Sequence, residues 1–96
     1  MYKLYIEMSA THIQPTTISF LARRAEFELR ELEAEIRAAE RALVKVTADQ
    51  DQFKTADEYE EAIKYWLRRV DMLKACLPGR QKLYDRWWSR NQAGTV

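Results

Sequence analysis

The sequence predicts a mainly all-α protein: a long antiparallel helical hairpin, a short C-terminal helix behind it, and an extended or strand-like arm in front. Three observations carry that expectation. The 96 residues include only two Gly and two Pro, where average usage would give about eleven, and neither occurs between Pro15 and Pro78. Folds built from many tight turns need more breakers than this. Next, Ile18, Ala22, Ala25, Leu29, Leu32, Ile36, Ala39, Leu43 and Val46 follow one another at alternating steps of four and three. That is the a/d spacing of a helix burying one seam against another. Finally, Tyr59, Ile63, Trp66, Val70, Leu73 and Leu77 repeat the same spacing after a polar break.

A single domain, 1–96, is expected at this length, divided into an arm and linker (1–15), a first helix (16–47), a second (55–77) and a third (79–91). In the arm, Tyr2, Leu4, Ile6 and Met8 alternate with Lys3, Tyr5 and Glu7, the two-residue period of a strand. No second strand candidate follows. A lone strand is unstable, so the arm must pair with another chain or lie on the helices; a short helix is the alternative reading.

Thr16 or Thr17 can cap the first helix just after Pro15. A seam of this length makes a helix of about 45 Å, so the molecule is expected to be elongated. Thr47 to Lys54 reads as a polar loop. Thr55-Ala-Asp-Glu58 matches a capping box, in which the hydroxyl and the Glu side chain satisfy two orphan amides reciprocally. Pro78-Gly79 ends or kinks the second helix, and residues from Asn91 onward read as frayed.

The flanks of the first seam decide its partner. Glu26, Glu33 and Glu40 line one side, Glu28 and Glu35 the other, so self-pairing through this seam sets glutamate against glutamate. Folding the second helix back instead makes every rung apolar: Leu43 with Tyr59, Ala39 with Ile63, Ile36 with Trp66, Leu32 with Val70, Leu29 with Leu73, Ala25 with Leu77. On the flanks Glu35 comes level with Arg69 and Glu26 with Lys74, while Glu40 near Glu60 is unfavourable. Exposed pairs are worth only about 0–1 kcal/mol each. The rungs, at about 1.5–3 kcal/mol per buried large side chain, therefore decide the fold.

Catalytic chemistry is not expected. His12 is the sole histidine and has no acid or thiol at ligand spacing. Cys76 is the sole cysteine and is expected to be a small buried thiol. The glutamates flank the seam rather than occupy it, and no Glu-x-x-His is present, unlike a di-metal carboxylate bundle. No cofactor or metal is called for. One thiol and no leader pattern fit a reducing, cytoplasmic setting, and no apolar run approaches the roughly 20 residues that span a bilayer.

The expected function is that of a small non-catalytic protein-interaction module. It would self-associate, most simply as a dimer, or bind and regulate (even inhibit) a partner protein; an accessory protein of a phage or mobile element is one expected case. Phe20 and Phe27 recur at position f, opposite the seam, and a hairpin alone leaves them in water, where contiguous apolar surface marks interfaces. The expected interface is Tyr2, Leu4, Ile6, Phe20, Phe27, Trp87 and Trp88, the last two being hot-spot residue types. The third helix is expected to gather one aromatic cluster near Ile18 and Phe20. Two alternatives remain. One is a nucleic-acid binder using Arg80, Lys82, Arg86, Arg90 and Trp88, since bases interleaved with aromatics suit phosphates and stacking. The other is an oligomeric binder of a small ligand.

Overall fold

The computed structural model describes residues 15–94, and all of its regular elements are helical. The expected N-terminal arm lies outside the described residues. Helix α1 spans Pro15–Ala48, a 3-10 turn spans Gln50–Gln52, α2 spans Ala56–Ala75 and α3 spans Leu77–Gly94. Both α2 and α3 pack along α1 and barely touch one another. The molecule is thus one long helix with a bent helical run folded back along it. Its extents are 61 × 31 × 16 Å and its radius of gyration 20.4 Å, against about 12–13 Å for a compact globule of this size. The smallest extent is little more than one helix diameter of about 10–12 Å, so the hairpin is a single layer with both faces open.

Every buried residue of α1 belongs to the expected seam: Ala22, Ala25, Leu29, Leu32, Ile36 and Ala39. From α2 come Val70 and Leu73. Leu32, Ile36, Ala39, Val70 and Leu73 form one cluster, with Trp66 and Leu77 packed against it. Trp66 thereby reaches the cluster that holds Ile36, as the expected rung requires.

One flank is as expected and the other differs. Arg69 lies 4.0 Å from Glu35. Lys74, however, pairs with Glu40 at 3.2 Å rather than with Glu26. The cause is the lean of helical side chains toward the N-terminus of their own helix. In an antiparallel pair Glu40 and Lys74 lean toward each other, whereas Glu26 and Lys74 lean apart. Glu40 thereby gains a cation in place of the expected repulsion from Glu60.

The boundaries also shift. Pro15 already lies in α1, which suits a residue whose missing N–H is not needed in a first turn, and Thr16 and Thr17 fall inside the helix rather than capping it. At the other end the Thr47 hydroxyl donates to the carbonyls of Leu43 and Val44 at 3.0 and 2.8 Å. The Tyr59 hydroxyl donates to the Thr47 carbonyl at 2.8 Å, so α2 supplies a partner for one orphan carbonyl of α1. The Phe53 ring packs against Tyr59 with centroids 5.7 Å apart, making the turn less uniformly polar than its composition suggests.

Thr55 caps α2 as expected, its Oγ1 accepting from the Glu58 amide at 3.1 Å. The reciprocal half of the box is displaced by one residue: Glu58 accepts from the amide of Lys54, at 3.2 Å. Pro78-Gly79 does not open a gap. Pro78 cannot continue the ladder to the Lys74 carbonyl, so α2 ends at Ala75 and α3 begins at Leu77 with Pro78 in its first turn. Cys76 stays in the right-handed region, its amide bonded to Leu73 and its carbonyl accepting from Arg80 at 3.2 Å. The result is a bend in a nearly continuous helical run, and α3 extends to Gly94 instead of fraying from Asn91.

Candidate interaction surfaces

Position f of α1 points away from the seam, and its two aromatics stand in solvent: Phe20 is 61% and Phe27 66% exposed. They lie seven residues apart, about 10.5 Å along the helix. Farther along the same helix Val44 is also exposed, a residue outside both the seam and the f column. No charge pattern distinguishes it in the sequence.

The α2–α3 run carries further exposed apolar residues, on more than one of its faces. Tyr65, Leu67 and Met72 are exposed on α2 and Leu83 on α3. Tyr65 packs edge-on against Trp66 with centroids 5.1 Å apart. Beside it a shallow groove of about 480 Å³ is lined by Glu35, Ala38, Ala39, Tyr65, Trp66, Arg69 and Leu73.

The aromatics of α3 are organised differently from the expected cluster around Phe20. Tyr84 lies against Trp88, centroids 6.1 Å apart, and the Arg30 guanidinium of α1 sits over the Tyr84 ring at 5.7 Å. Glu33, bonded to Arg30 at 2.9 Å, holds that guanidinium above its ordinary pKa, by the hydrogen bond first and by its charge second. Arg90 covers the face of Trp87 at 5.2 Å. Trp87 and Trp88 are half-buried, and the Trp88 indole nitrogen is buried with no hydrogen-bond partner among the described residues. Arg80 bonds Glu28 across the hairpin. Of the bases expected to meet phosphate, Arg80 and Arg90 are thus engaged within the chain. Lys82 and Arg86 line a shallow depression with Gly79 and Leu83.

The expected interface residues therefore separate. Phe20 and Phe27 form one exposed stripe, Trp87 and Trp88 lie on a different helix, and Tyr2, Leu4 and Ile6 fall outside the described residues. Cys76 is exposed rather than buried, since its helical phase sets it outside the seam formed by Leu73 and Leu77; its thiol donates to the Met72 carbonyl at 3.4 Å. His12 is outside the described residues. Among those described, no group of three or more His, Cys, Asp or Glu side chains is placed to hold a metal ion, and no helix is long and apolar enough to cross a membrane. No family model, no curated protein and no solved structure matches the chain.

Proposed function

We propose that this chain is a non-catalytic protein-interaction module, which self-associates and docks a partner protein through the outer stripe of α1. The observation that carries the reading is the pair Phe20 and Phe27, both more than three-fifths exposed on the helix face opposite the buried seam. A phenylalanine in water forgoes the burial of a large apolar side chain, and two on one face suit a surface covered by another protein. The same helix buries six seam residues on its other side.

The test combines light scattering with capture of bound protein by the tagged full-length chain. The native chain should run as a dimer or larger species and retain a partner. The double variant Phe20→Asp, Phe27→Asp should lose the partner while unfolding at the same temperature, because exposed positions tolerate substitution within about 0.5 kcal/mol. A chain that is monomeric throughout and retains no protein overturns the reading.

A further inference from the structure

Phe20 and Phe27 belong to a longer pattern on the outside of α1. Position f carries Phe20, Phe27, Ala34 and Arg41, and the column beside it carries Arg23, Arg30, Arg37 and Val44. Together they follow one another at alternating steps of three and four from Phe20 to Val44, a stretch of about 36 Å. Every one of them is exposed. The helix thus carries two ladders of the same period, one facing α2 and α3 and one nearly opposite, facing outward.

Charge is sorted between them. The outer ladder holds four arginines and no acid. Glu26, Glu28, Glu33, Glu35 and Glu40 flank the inner seam, and four of these already meet cations: Glu28 meets Arg24 and Arg80, Glu33 meets Arg30, Glu35 meets Arg69 and Glu40 meets Lys74. Glu31 is the one acid of α1 on the outer side, in the next column, between Arg24 and Lys45. Arg30 is engaged by Glu33 and by the Tyr84 ring. Arg23, Arg37 and Arg41 enter no ion pair among the described residues.

Spacing selects the kind of partner. Alternating steps of three and four keep one side of a helix against another helix. A helix reading a nucleic-acid duplex uses three or four side chains at base edges, not a ladder of this length. A helix lying in a bilayer surface separates its basic face from its apolar one, whereas here arginines and phenylalanines alternate along one line. A second copy of this chain is a poor occupant: its own outer ladder offers the arginines no carboxylate, and four of the five acids of α2 are gathered between Asp57 and Glu61. Arginine stems pack on apolar surface while the guanidinium stays at the edge, where its planar fork matches a carboxylate.

We infer that the outer ladder of α1 docks an amphipathic helix of another protein, laid lengthwise, with apolar residues on Phe20, Phe27 and Ala34 and Asp or Glu residues on Arg23, Arg37 and Arg41. This rests on the partner docking proposed above and adds the partner's shape and charge.

The experiment follows the fluorescence anisotropy of labelled synthetic helices, about four heptads long, titrated with the full chain at about 0.05 M salt. The acidic probe carries leucine on one column, glutamate on the adjacent one and alanine elsewhere; the control probe has lysine in place of glutamate. A DNA duplex of about 20 base pairs and phosphatidylglycerol vesicles are titrated beside them. The native chain should prefer the acidic probe by about tenfold or more, and the preference should shrink at about 0.5 M salt. Arg23→Glu with Arg37→Glu should invert the preference, and Phe20→Ala with Phe27→Ala should weaken the acidic probe about tenfold or more; circular dichroism confirms that each variant keeps its helix content. Equal binding of the two probes, or a preference that the arginine reversal leaves unchanged, overturns the acidic partner while leaving docking on Phe20 and Phe27 standing. Tighter binding of the duplex or the vesicles, or no binding of the acidic probe, overturns it as well, and the capture assay above then judges docking by itself.

Discussion

The two halves of the hairpin bury the same helix by different means. Toward the loop, α1 meets α2 through aliphatic side chains, and Leu32, Ile36, Ala39, Val70 and Leu73 close into a buried cluster. Toward the open end, Ala22 and Ala25 of α1 are buried, and Leu29, outside that cluster, is the largest fully buried side chain among the described residues. On the α3 side no described residue is fully buried, and Tyr84, Trp87 and Trp88 are only half-covered. The Arg30–Tyr84 cation–ring contact and the Arg80–Glu28 bridge hold that half at its edges. Such exposed polar contacts contribute little each. A buried Trp88 N–H without a partner among the described residues costs about 1–3 kcal/mol relative to a satisfied one. The loop half is therefore the stability anchor, and the open half is the more readily remodelled one, where local opening costs less than global unfolding.

Leu32→Ala should break the anchor. Removing a buried leucine from the cluster should lower the unfolding free energy by about 2–5 kcal/mol, a large part of the roughly 5–15 kcal/mol a small domain possesses. Urea denaturation measures it, and a loss no larger than that of an open-half substitution would erase the contrast. Ala25→Leu probes the open half, where added methylenes meet the α3 side of the seam. The expected loss is about 1–3 kcal/mol, with faster amide exchange in α3 and little change in α2. Slower exchange in α3 would mean that the open half had room to spare.

Gly79→Ala should act in the opposite sense and least of all. Gly79 sits in the first turn of α3, has no positive φ and has nothing within 4 Å of a built Cβ. Alanine there restricts the unfolded chain at no steric cost and should raise stability by about 0.4–1 kcal/mol. A rise in the midpoint of thermal unfolding would sharpen the bend at Cys76 as the joint between a firm half and a soft one. A drop would mean that the bend needs glycine.

Much of this was readable from residue spacing. The buried side of α1 coincides with the four–three seam because burial in a two-helix layer depends on helical phase alone, and phase is a property of sequence position. The exposure of Phe20 and Phe27 follows from the same phase, at position f. Spacing along one helix does not encode the direction in which long side chains lean, so it pairs Lys74 with Glu26, whereas Lys74 bonds Glu40. Nor does it encode which face of α3 meets α1. Arg30 over Tyr84 follows from a bend whose angle no local signal specifies.

By itself the sequence determined the helical class, the seam and the place of both joints, because propensity, capping and apolar period act within a few residues. Only the tertiary structure decided that Pro78-Gly79 bends a helical run instead of ending it. Pro78 forbids one hydrogen bond, but packing of α3 along α1 rewards restarting the helix at once.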